Sequence, residues 1–589
     1  MRDKLNDLFV FQRGATKTED KYFIKFSEIS VLLKKTKHMR IQGMNNNIRF
    51  NKKLLTISIA GIFISAAQLG ASVAFAENDD NLSGLARIAP GSAQTSFTRM
   101  FPELPAFAEA TDTMRERAKS LGRAGGILDA MDDPSQTALQ SILNPGANLD
   151  SLLTGNTFSI GNIHMTAGVT FFGQFLDHDI TFDPKSKLLE NSNPKRVTNF
   201  RTPAFDLDSV YGAGPEESEE LYDASSGDIL FKIEAIPGSE AVSRKGATRY
   251  DVPRDANNVA IVAEGRNDEN IIISQFQLAM LRFHNAVTAN VRANHADWTA
   301  VEVFNEARRQ VRWHYQWIIV HEFLPLTIGQ ERTTKYMAEK VENLNPRIPI
   351  EFSVAAYRFG HSQVRPSYRL NFGPTGGPAF FGFIFDDSPA NDWVANPNDF
   401  RGGKRAPNRF VDWQTFFDFG APPEFAPNGV RSNKKIDTKI TTRLFHLPGA
   451  GINSPAPGLP SDGVQSLASR NLIRHVNFGL PSGQAIAARL GVPALTAAQM
   501  PELASYGMDK STPLWYYILK EAEVMENGLH LGPVGGHIVG KVFSTLLKAD
   551  ASSYVAAKPD WTPTLPSATP GSFRITDLLK FAGVVPPLN

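Results

Sequence analysis

The sequence predicts a mainly α-helical protein, built as a single large domain with long loops and few short strands. Apolar residues recur at helical spacing over long segments, whereas strand patterns are few and short. With 589 residues the chain can bury a large core, and 42% hydrophobic against 21% charged residues is the composition of a globular protein. The 40 phenylalanines indicate extensive aromatic packing or a large apolar ligand.

The N-terminal segment has the pattern of an export signal. After a basic stretch, an uncharged apolar run ends in an A-x-A pattern at Ala76. We expect residues 44–76 to be a signal peptide cleaved after Ala76, with a secreted or periplasmic product. Residues 1–43 are expected to be disordered or a mis-called extension ahead of a true start at Met44. A membrane anchor is the alternative, but Gly, Ala and Ser make the run a poor span, so no stable anchor is expected.

Charge and cysteine content exclude several classes of protein. The chain has no cysteine, which rules out disulfides, iron–sulfur clusters and every other thiolate metal site. Residues 77–589 carry a net charge of −7 and no basic patch, so nucleic acid is not an expected partner.

Helical patterns dominate residues 148–589, which we predict to form the main domain. Residues 77–147 mix helical stretches with Pro, Gly and Asp and are expected to form an arm packed on this body. Residues 372–463 are rich in Gly, Pro and aromatic residues, which indicates extended loops. One strand pattern lies near 228–235, and the helical patterns cover 161–180, 270–293, 300–323, 350–363, 465–476, 483–490, 515–525 and 534–548.

A polar cluster, GQFLDHDITF, ends the first of these helices. Gln174 and His178 stand one turn apart on the same face, while Asp177 and Asp179 flank the histidine at about 100° to either side. Three adjacent titratable groups are unfavourable in a buried helix unless they have partners. We therefore expect each of these side chains to be paired.

A second motif, TPAFDLDSVYG over residues 202–212, alternates oxygen-bearing groups. Every second residue from Thr202 to Asp208 supplies a hydroxyl, a carbonyl or a carboxylate, and in an extended loop these groups point the same way. Such a set suits Ca²⁺, which binds about six to eight oxygens. A solvated acidic turn is the alternative, and Asp179 is a candidate to complete the ligand set from the first helix.

The remaining candidates lie in three later segments. AEGRNDEN, over residues 263–270, places charged side chains at a helix start, where acidic residues suit the dipole and a charged turn is the ordinary interpretation. AAYRFGHSQVRP places a histidine in an apolar helix, where it is ordinarily a hydrogen-bonded core residue, and SRNLIRHVNFGLPSG runs to a Gly-Leu-Pro stop. The candidate side chains are Arg266, Asp268, Glu269, Arg358, His361, Asn471 and Arg474.

Taken in this order, the motifs resemble those of the animal-type haem peroxidases, the peroxidase–cyclooxygenase superfamily, in a bacterial secreted version. The resemblance covers roughly residues 90–589, and GQFLDHD is its most specific motif. It implies one haem-peroxidase domain that holds haem b and Ca²⁺. It also implies a reaction in which H2O2 forms a ferryl intermediate, which then oxidises small organic donors or halides.

On the distal side, the resemblance implies that His178 transfers the proton of bound H2O2 and that Arg266 stabilises the departing hydroxide. Gln174 would bind water or a small substrate over the iron. Asp177 and Glu269 match two carboxylates that form ester bonds to haem in mammalian members, so ester-linked haem is an expectation here.

On the proximal side, the resemblance implies that His361 binds the iron through Nε2, with Asn471 accepting a hydrogen bond from the other ring nitrogen. Arg358 and Arg474 would pair with the haem propionates. Two ligand positions differ from many relatives, which have an aromatic residue and a serine where this chain has alanine and the last aspartate. The implied Ca²⁺ ligands are Asp179, Thr202, Ala204, Asp206 and Asp208.

Three other functions stay open. A fatty-acid dioxygenase of the same superfamily would carry a tyrosine three residues before the proximal histidine, where this chain has Arg358, and Tyr357 is one position away. A secreted adhesion or matrix protein on a peroxidase fold is the second, although no repeat or Arg-Gly-Asp motif supports it. The third is a non-haem metal site built from His314, His321 and Glu322, whose spacing is not H-E-x-x-H.

Overall fold

The computed structural model describes residues 95–143, 165–227, 229–342, 345–386, 399–420, 432–447 and 463–586. The predicted signal peptide and N-terminal extension lie outside these residues. Within them the chain is mainly α-helical, as the sequence predicts, and its short strands pair into two-stranded antiparallel sheets. The strands are β1 (Thr95–Ser96) with β2 (Thr198–Asn199), β3 (Glu234–Ala235) with β4 (Tyr250–Asp251), and β5 (Ser367–Asn371) with β6 (Phe380–Phe383).

Most helices lie where the apolar periodicity predicts them. None of the helices in the described ranges is long and apolar enough to cross a membrane. In chain order they are α1 (Asp112–Leu121), α2 (Ala138–Leu143), α3 (Ala167–Ile180), α4 (Asp208–Tyr211), α5 (Ser239–Val242), α6 (Ile271–Asn294), α7 (Ala300–Ile318), α8 (Leu324–Ile328), α9 (Gln330–Ala338), α10 (Gly360–Gln363), α11 (Leu467–Asn477), α12 (Gly483–Leu490), α13 (Leu514–Glu526), α14 (Pro533–Ala549), α15 (Tyr554–Ala557) and α16 (Ile575–Phe581).

Two segments differ from the sequence prediction. The helix predicted over 350–363 is divided into a π-helical turn (Glu351–Ala355), a 3₁₀ turn (Ala356–Phe359) and α10, because Ala355 leaves helical geometry at φ −129° and ψ −70°. The strand predicted near 228–235 is reduced to β3, because the strand with which it pairs, β4, has only two residues.

Helix α3 lies in the core and carries the polar cluster. It is apolar around most of its circumference, and eleven of its fourteen residues are buried. It packs against α6, α10 and the short helix α4. The Asn270 side chain caps α6 by accepting hydrogen bonds from the amides of Ile272 and Ile273 at 3.1 and 3.0 Å. Two helices that carry candidate residues, α10 with His361 and α4 with Asp208, are therefore packed on α3.

The N-terminal arm, as far as it is described, packs on α11 and on the turn that precedes α10. Ser469 on α11 donates a hydrogen bond to the carbonyl oxygen of Lys119 at 2.9 Å. At the end of α1, a Cβ on Gly122 would lie 2.3 Å from the Ser469 amide nitrogen, so this close approach requires glycine. The buried carboxylate of Glu351 accepts from the amide of Met100 at 2.9 Å.

Candidate active site

His178 lies in the last turn of α3 with only 4% of its surface exposed. Its Nδ1 is 2.8 Å from Oδ1 of Asn267, and Nδ2 of Asn267 donates to Oε1 of Gln277 at 2.9 Å. Because an amide oxygen only accepts, Nδ1 carries the ring hydrogen and Nε2 keeps its lone pair. Burial, together with the nearby charge of Arg266, lowers the pKa of His178 to about 3. The imidazole is therefore neutral and has its basic nitrogen unprotonated.

Arg266 lies in a 3₁₀ turn, Gly265–Asp268, directly before α6. Its Nε and Nη2 each donate to the Glu264 carboxylate at 3.0 Å. Nη2 also donates to the main-chain oxygens of His178 at 3.2 Å and Thr181 at 2.5 Å, at the C-terminal end of α3, where a cation is favourable. Among the described residues Nη1 has no hydrogen-bond partner, so this nitrogen is the donor left for a ligand.

The resemblance implies that Gln174 binds water or a small substrate, and in this structure its side chain contacts the start of α6. Its Nε2 donates a short hydrogen bond to Oε1 of Glu269, and its Oε1 accepts from Nδ2 of Asn270 at 3.3 Å. Both contacts reach across to the start of α6, since α3 packs directly on that helix. The glutamine side chain therefore orients Glu269 in this structure.

Asp177 and Glu269 are the two carboxyl groups of the predicted ester links. Thr181 Oγ1 donates to Oδ1 of Asp177 at 2.9 Å. Burial raises the pKa of Asp177, and burial raises the pKa of Glu269 to about 8, with the neighbouring carboxylates adding to the effect. Behind Glu269, a Cβ on Gly402 would lie 1.5 Å from the Asp268 carbonyl oxygen, so only glycine allows this loop to approach.

His361 lies in α10, and its Nδ1 is 2.8 Å from Nδ2 of Asn471 on α11. The predicted pair is present, but the amide nitrogen faces the ring where the sequence predicted the amide oxygen. The reason is Arg358, whose Nη1 donates to Oδ1 of Asn471 at 3.1 Å and takes the oxygen. Ligation of iron through Nε2 requires a hydrogen on Nδ1 and an acceptor facing it. Such ligation would require the Asn471 amide to rotate, and Arg358 would then donate to a different acceptor.

Arg474 is buried on α11 and contacts the loop after α3. Its Nη1 donates to Oγ of Ser186 at 2.8 Å, and its Nη2 lies 3.4 Å from the Ser186 carbonyl oxygen. The resemblance implies a propionate partner for Arg474, and in this structure its guanidinium contacts Ser186. Asp268, a further candidate from the charged helix start, forms a two-bond ion pair with Arg254 at 2.7 Å and supports the turn that carries Arg266.

Three carboxylates meet behind α3. Oxygens of Asp179, Asp206 and Asp208 all lie within 4.8 Å of one another. Thr202 Oγ1 donates to Asp206 at 3.1 Å and to Asp208 at 2.9 Å, and Ala204 lies half-buried in the same loop. The loop is not uniformly extended as predicted, because Leu207 adopts a left-handed conformation (φ 62°) and Asp208 begins α4.

The electrostatics of this carboxylate cluster fit a bound cation. Burial, together with the charges of Asp206 and Asp208, raises the pKa of Asp179 well above its ordinary value. Burial, together with the charge of Asp208, raises the pKa of Asp206 to about 7. Tyr315 and Ser209 donate to the Asp179 carboxylate at 3.1 and 2.8 Å and hold it in place. A hard dication would relieve the repulsion that these shifts express.

Six candidate side chains share a pattern of burial that bears on a prosthetic group. Each is half-buried within a segment that is otherwise largely buried, so each keeps some contact with solvent. The charges of both Arg266 and Arg358 act on Asp177, which brings the segments that carry the distal and proximal candidates near one another. A partly exposed imidazole, two cations and two carboxyls in neighbouring segments suit haem and its propionates. The six are Gln174, Asp177, Arg266, Glu269, Arg358 and His361.

Comparison with known proteins agrees with the residues that form this site. The family model described as animal haem peroxidase matches residues 186–402, which include the 202–208 loop, Arg266, Glu269 and His361. Residues 186–402 therefore form part of an animal haem peroxidase domain. The region matched to the family begins after His178 and ends before Asn471, so those two assignments depend on motif and geometry alone.

Similar proteins include thyroid peroxidase and, among solved structures, a peroxidase and a dioxygenase. Human thyroid peroxidase is 27% identical over 197 residues, which cover 31% of this chain and 21% of that protein. The chain thus spans about a fifth of that relative. Among solved structures, Peroxidase A from Dictyostelium discoideum has a TM-score of 0.49 at 18% identity, covering 82% of this chain and 93% of that one. Oryza sativa fatty acid alpha-dioxygenase has a TM-score of 0.49 at 13% identity, covering 87% and 82%.

Three residues of this animal haem peroxidase site were not identified by motif reasoning. Asn267 orients His178, Glu264 holds Arg266, and Arg201 holds Glu264. Asn267 and Glu264 stand inside the AEGRNDEN motif, so adjacency to a candidate was the available signal. Arg201 directly precedes the 202–208 loop and had no signal beyond that position.

Proposed function

We propose that this protein is a haem peroxidase that uses H2O2 to oxidise small organic donors or halides. The observation that carries the proposal is the pairing of a neutral histidine with an anchored arginine. His178 has a fixed tautomer with a basic Nε2, and Nη1 of Arg266 on the adjacent turn has no hydrogen-bond partner among the residues that the structure describes. A base and a permanent cation side by side are the groups that heterolysis of a peroxide needs.

Each of the two side chains has a distinct part in the proposed reaction. Nε2 of His178 accepts the proton from one oxygen of H2O2. It returns this proton to the other oxygen, which leaves as water. Nη1 of Arg266 donates to the oxygen on which negative charge develops. Haem, when bound, would supply the redox-active iron and the two electrons that reduction of the peroxide bond requires. The low pKa of His178, about 3, keeps this base unprotonated at neutral pH.

The residues that would hold haem b lie in the same neighbouring segments. His361 would bind the iron through Nε2, with Asn471 accepting from Nδ1 after its amide has turned. Arg358, released from Asn471, would pair with a propionate. Asp177 and Glu269 both have raised pKa values, and as partly exposed carboxyls they would supply the ester links. These roles follow from the family resemblance and the contacts described above.

Ca²⁺ is the second group that we propose. Its ligands would be Asp179, Asp206, Asp208 and Thr202, with the carbonyl oxygen of Ala204. Since Asp179 is adjacent to His178 in α3, a cation bound there would fix the end of the helix that carries the base. We also propose export of the protein through the signal pattern that ends at Ala76, to a secreted or periplasmic location.

The alternatives have less support from the site. The hydroxyl of Tyr357 donates to the carbonyl of Gly173 at 3.1 Å, and its ring stacks on Phe352 at 4.7 Å, so this tyrosine packs against α3. The position where a dioxygenase carries its tyrosine holds Arg358. The non-haem metal site fails on His314, because its Nε2 lies 3.2 Å from the amides of both Thr564 and Leu565. No contact in the described chain favours an adhesion or matrix role.

Reconstitution with haem tests the proposal. The full chain, purified with a haem supply, is expected to show a Soret band that shifts on addition of H2O2. His361→Ala is expected to lose haem binding, and His321→Ala, at an exposed histidine stacked on Trp317, serves as the control. Absence of haem uptake by the wild type, or unchanged haem binding by His361→Ala, would refute the proposal.

A further inference from the structure

Four charged side chains of alternating sign run from the carboxylate cluster to Arg266. Nη1 of Arg201 lies 3.4 Å from Oδ1 of Asp208, and the same guanidinium contacts Oε2 of Glu264 at 2.7 Å through Nε and Nη2. The Glu264 carboxylate then accepts from Nε and Nη2 of Arg266 at 3.0 Å. Each carboxylate oxygen of Glu264 therefore accepts a hydrogen bond from Arg266, and Oε2 also accepts one from Arg201.

The two middle groups cannot exchange a protein partner for water. The side chains of both Arg201 and Glu264 are 0% exposed. A buried charge that loses its partner is strongly destabilising, so each group needs an opposite charge within the protein. Arg201 also donates to the carbonyl of Ala263 at 3.0 Å, which keeps its guanidinium between the two acids. Arg201 is thus a cation shared between the carboxylates of Asp208 and Glu264.

We propose that Arg201 couples occupancy of the Ca²⁺ site to the strength of the ion pair between Glu264 and Arg266. This inference rests on the proposed Ca²⁺ site. A dication at the cluster would neutralise the carboxylate of Asp208 and repel the guanidinium of Arg201. Arg201 would then interact more strongly with Glu264, in competition with Arg266 for the Glu264 carboxylate. Arg201 is a positioning residue in this account, because it touches neither peroxide nor haem. Asp208, where many relatives have serine, gives Arg201 its second anion.

Thermodynamic coupling of this kind is reciprocal. If Ca²⁺ weakens the contact between Glu264 and Arg266, then removal of Arg266 changes the affinity for Ca²⁺, although the hydrogen bonds of Arg266 go to Glu264, His178 and Thr181. The direction follows from this row of charged side chains: without Arg266, Glu264 attracts Arg201 more strongly, Asp208 is released, and Ca²⁺ binds more tightly. Loss of the Arg266 positive charge would also raise Ca²⁺ affinity by long-range electrostatics alone, but that effect would not depend on Arg201.

A double-mutant cycle separates the two effects. Ca²⁺ affinity is measured by calorimetry on the haem-loaded full chain for wild type, Arg266→Gln, Arg201→Met and the double variant. We expect Arg266→Gln to raise Ca²⁺ affinity about fivefold in the wild-type background, at the low end of known couplings. In the Arg201→Met background the same change is expected to be less than about twofold. Arg249→Gln, which breaks a different buried ion pair with Asp412, is the control and should leave the affinity unchanged.

The outcomes distinguish this inference from the proposed function. Equal effects of Arg266→Gln in both backgrounds, or no effect in either, would overturn the coupling while the Ca²⁺ site stands. A wild type that binds no Ca²⁺ would overturn the site and the coupling together. Should Arg201→Met fail to fold by circular dichroism, Arg201→Lys replaces it. Lysine keeps the charge but lacks the fork that reaches both acids, so it too should reduce the effect of Arg266→Gln.

Discussion

Nδ1 of His178 lies 2.8 Å from Oδ1 of Asn267, and this contact decides which nitrogen of the imidazole can act as a base. The amide cannot rotate without loss, because its Nδ2 is bonded to Oε1 of Gln277 at 2.9 Å. Two consecutive side-chain hydrogen bonds therefore fix a single tautomer. Burial keeps the ring neutral, so the unprotonated Nε2 is a permanent feature of the site at neutral pH.

Asn267→Ala is expected to slow the reaction with peroxide. Loss of the acceptor lets the hydrogen move to Nε2, so only part of the population keeps a basic nitrogen there. We expect the rate constant for the H2O2-induced change in the Soret band to fall roughly tenfold, measured by stopped flow. The ¹³C shifts of labelled histidine would report the tautomer. Asn257→Ala, in an exposed loop, is the control, and an unchanged tautomer in Asn267→Ala would contradict the assignment.

Asn471→Ala is expected to weaken the binding of haem. The change removes the group that faces Nδ1 of His361 at 2.8 Å and the acceptor of Arg358 at 3.1 Å. Loss of such a supporting partner typically lowers metal affinity by about 10- to 100-fold. Haem titration of the apoprotein, followed at the Soret band, measures the effect. Asn477→Ala on the same helix, whose side chain contacts Arg115 instead, should leave haem affinity unchanged, and equal losses in both variants would refute a specific role.

Ca²⁺ is expected to stabilise the folded chain through the carboxylate cluster. A ligand present at about one hundred times its dissociation constant adds about 2.7 kcal/mol to the free energy of unfolding. Asp206→Asn removes one of the three carboxylates and is expected to abolish most of that gain, measured by urea unfolding with and without Ca²⁺. Asp255→Asn, an exposed loop carboxylate, is the control. An undiminished gain in Asp206→Asn would place Ca²⁺ elsewhere.

Ester links to haem are expected at Asp177 and Glu269. Both carboxyls are half-buried, and burial raises the pKa of each. After turnover with H2O2, extraction with acidified solvent should leave part of the haem on the wild type and none on the variant Asp177→Asn with Glu269→Gln. Wild type before exposure to H2O2 serves as the control. Complete extraction from peroxide-treated wild type would contradict the links.

The sequence predicted the parts of the site that depend on local spacing. The 3.6-residue period places His178 and Asp179 on different faces of α3. In the structure His178 contacts Asn267, and Asp179 lies in the carboxylate cluster. The loop that carries Asp206 and Asp208 was also predictable, because its acidic residues are close in sequence.

The sequence could not predict the contacts between distant segments. Arg201 meets Glu264 across 63 positions, and no periodicity records such a pair. The orientation of the Asn471 amide depends on which neighbour competes for its oxygen, and the competitor, Arg358, is 113 positions away. The segment 350–363 likewise makes contacts with distant residues, among them the hydrogen bond from Nε1 of Trp515 to the Arg358 carbonyl at 3.1 Å.

Glu521 on α13 is expected to make the free energy of unfolding depend on pH. Its carboxyl is completely buried and faces the first amides of α14, accepting from Val534 at 3.0 Å and Gly535 at 3.1 Å. Burial outweighs those hydrogen bonds and raises the pKa of Glu521 from 4.5 to about 7. Because the folded pKa lies above the unfolded one, the protonated group stabilises the native state fully below pH 4.5, and this contribution is lost as pH rises through about 7.

The shift corresponds to about 3 kcal/mol between pH 4 and pH 8, and the variant Glu521→Gln isolates it. Glutamine cannot ionise, so Glu521→Gln should not lose this contribution. As pH rises from 4 to 8, the unfolding free energy of the variant should therefore increase by that amount relative to the wild type. Urea unfolding at the two pH values measures the difference. Glu116→Gln, on the exposed surface of α1, should show no such pH dependence. A difference between wild type and Glu521→Gln that stays constant from pH 4 to pH 8 would mean that the buried carboxyl is ionised throughout, with the α14 amides stabilising its charge fully.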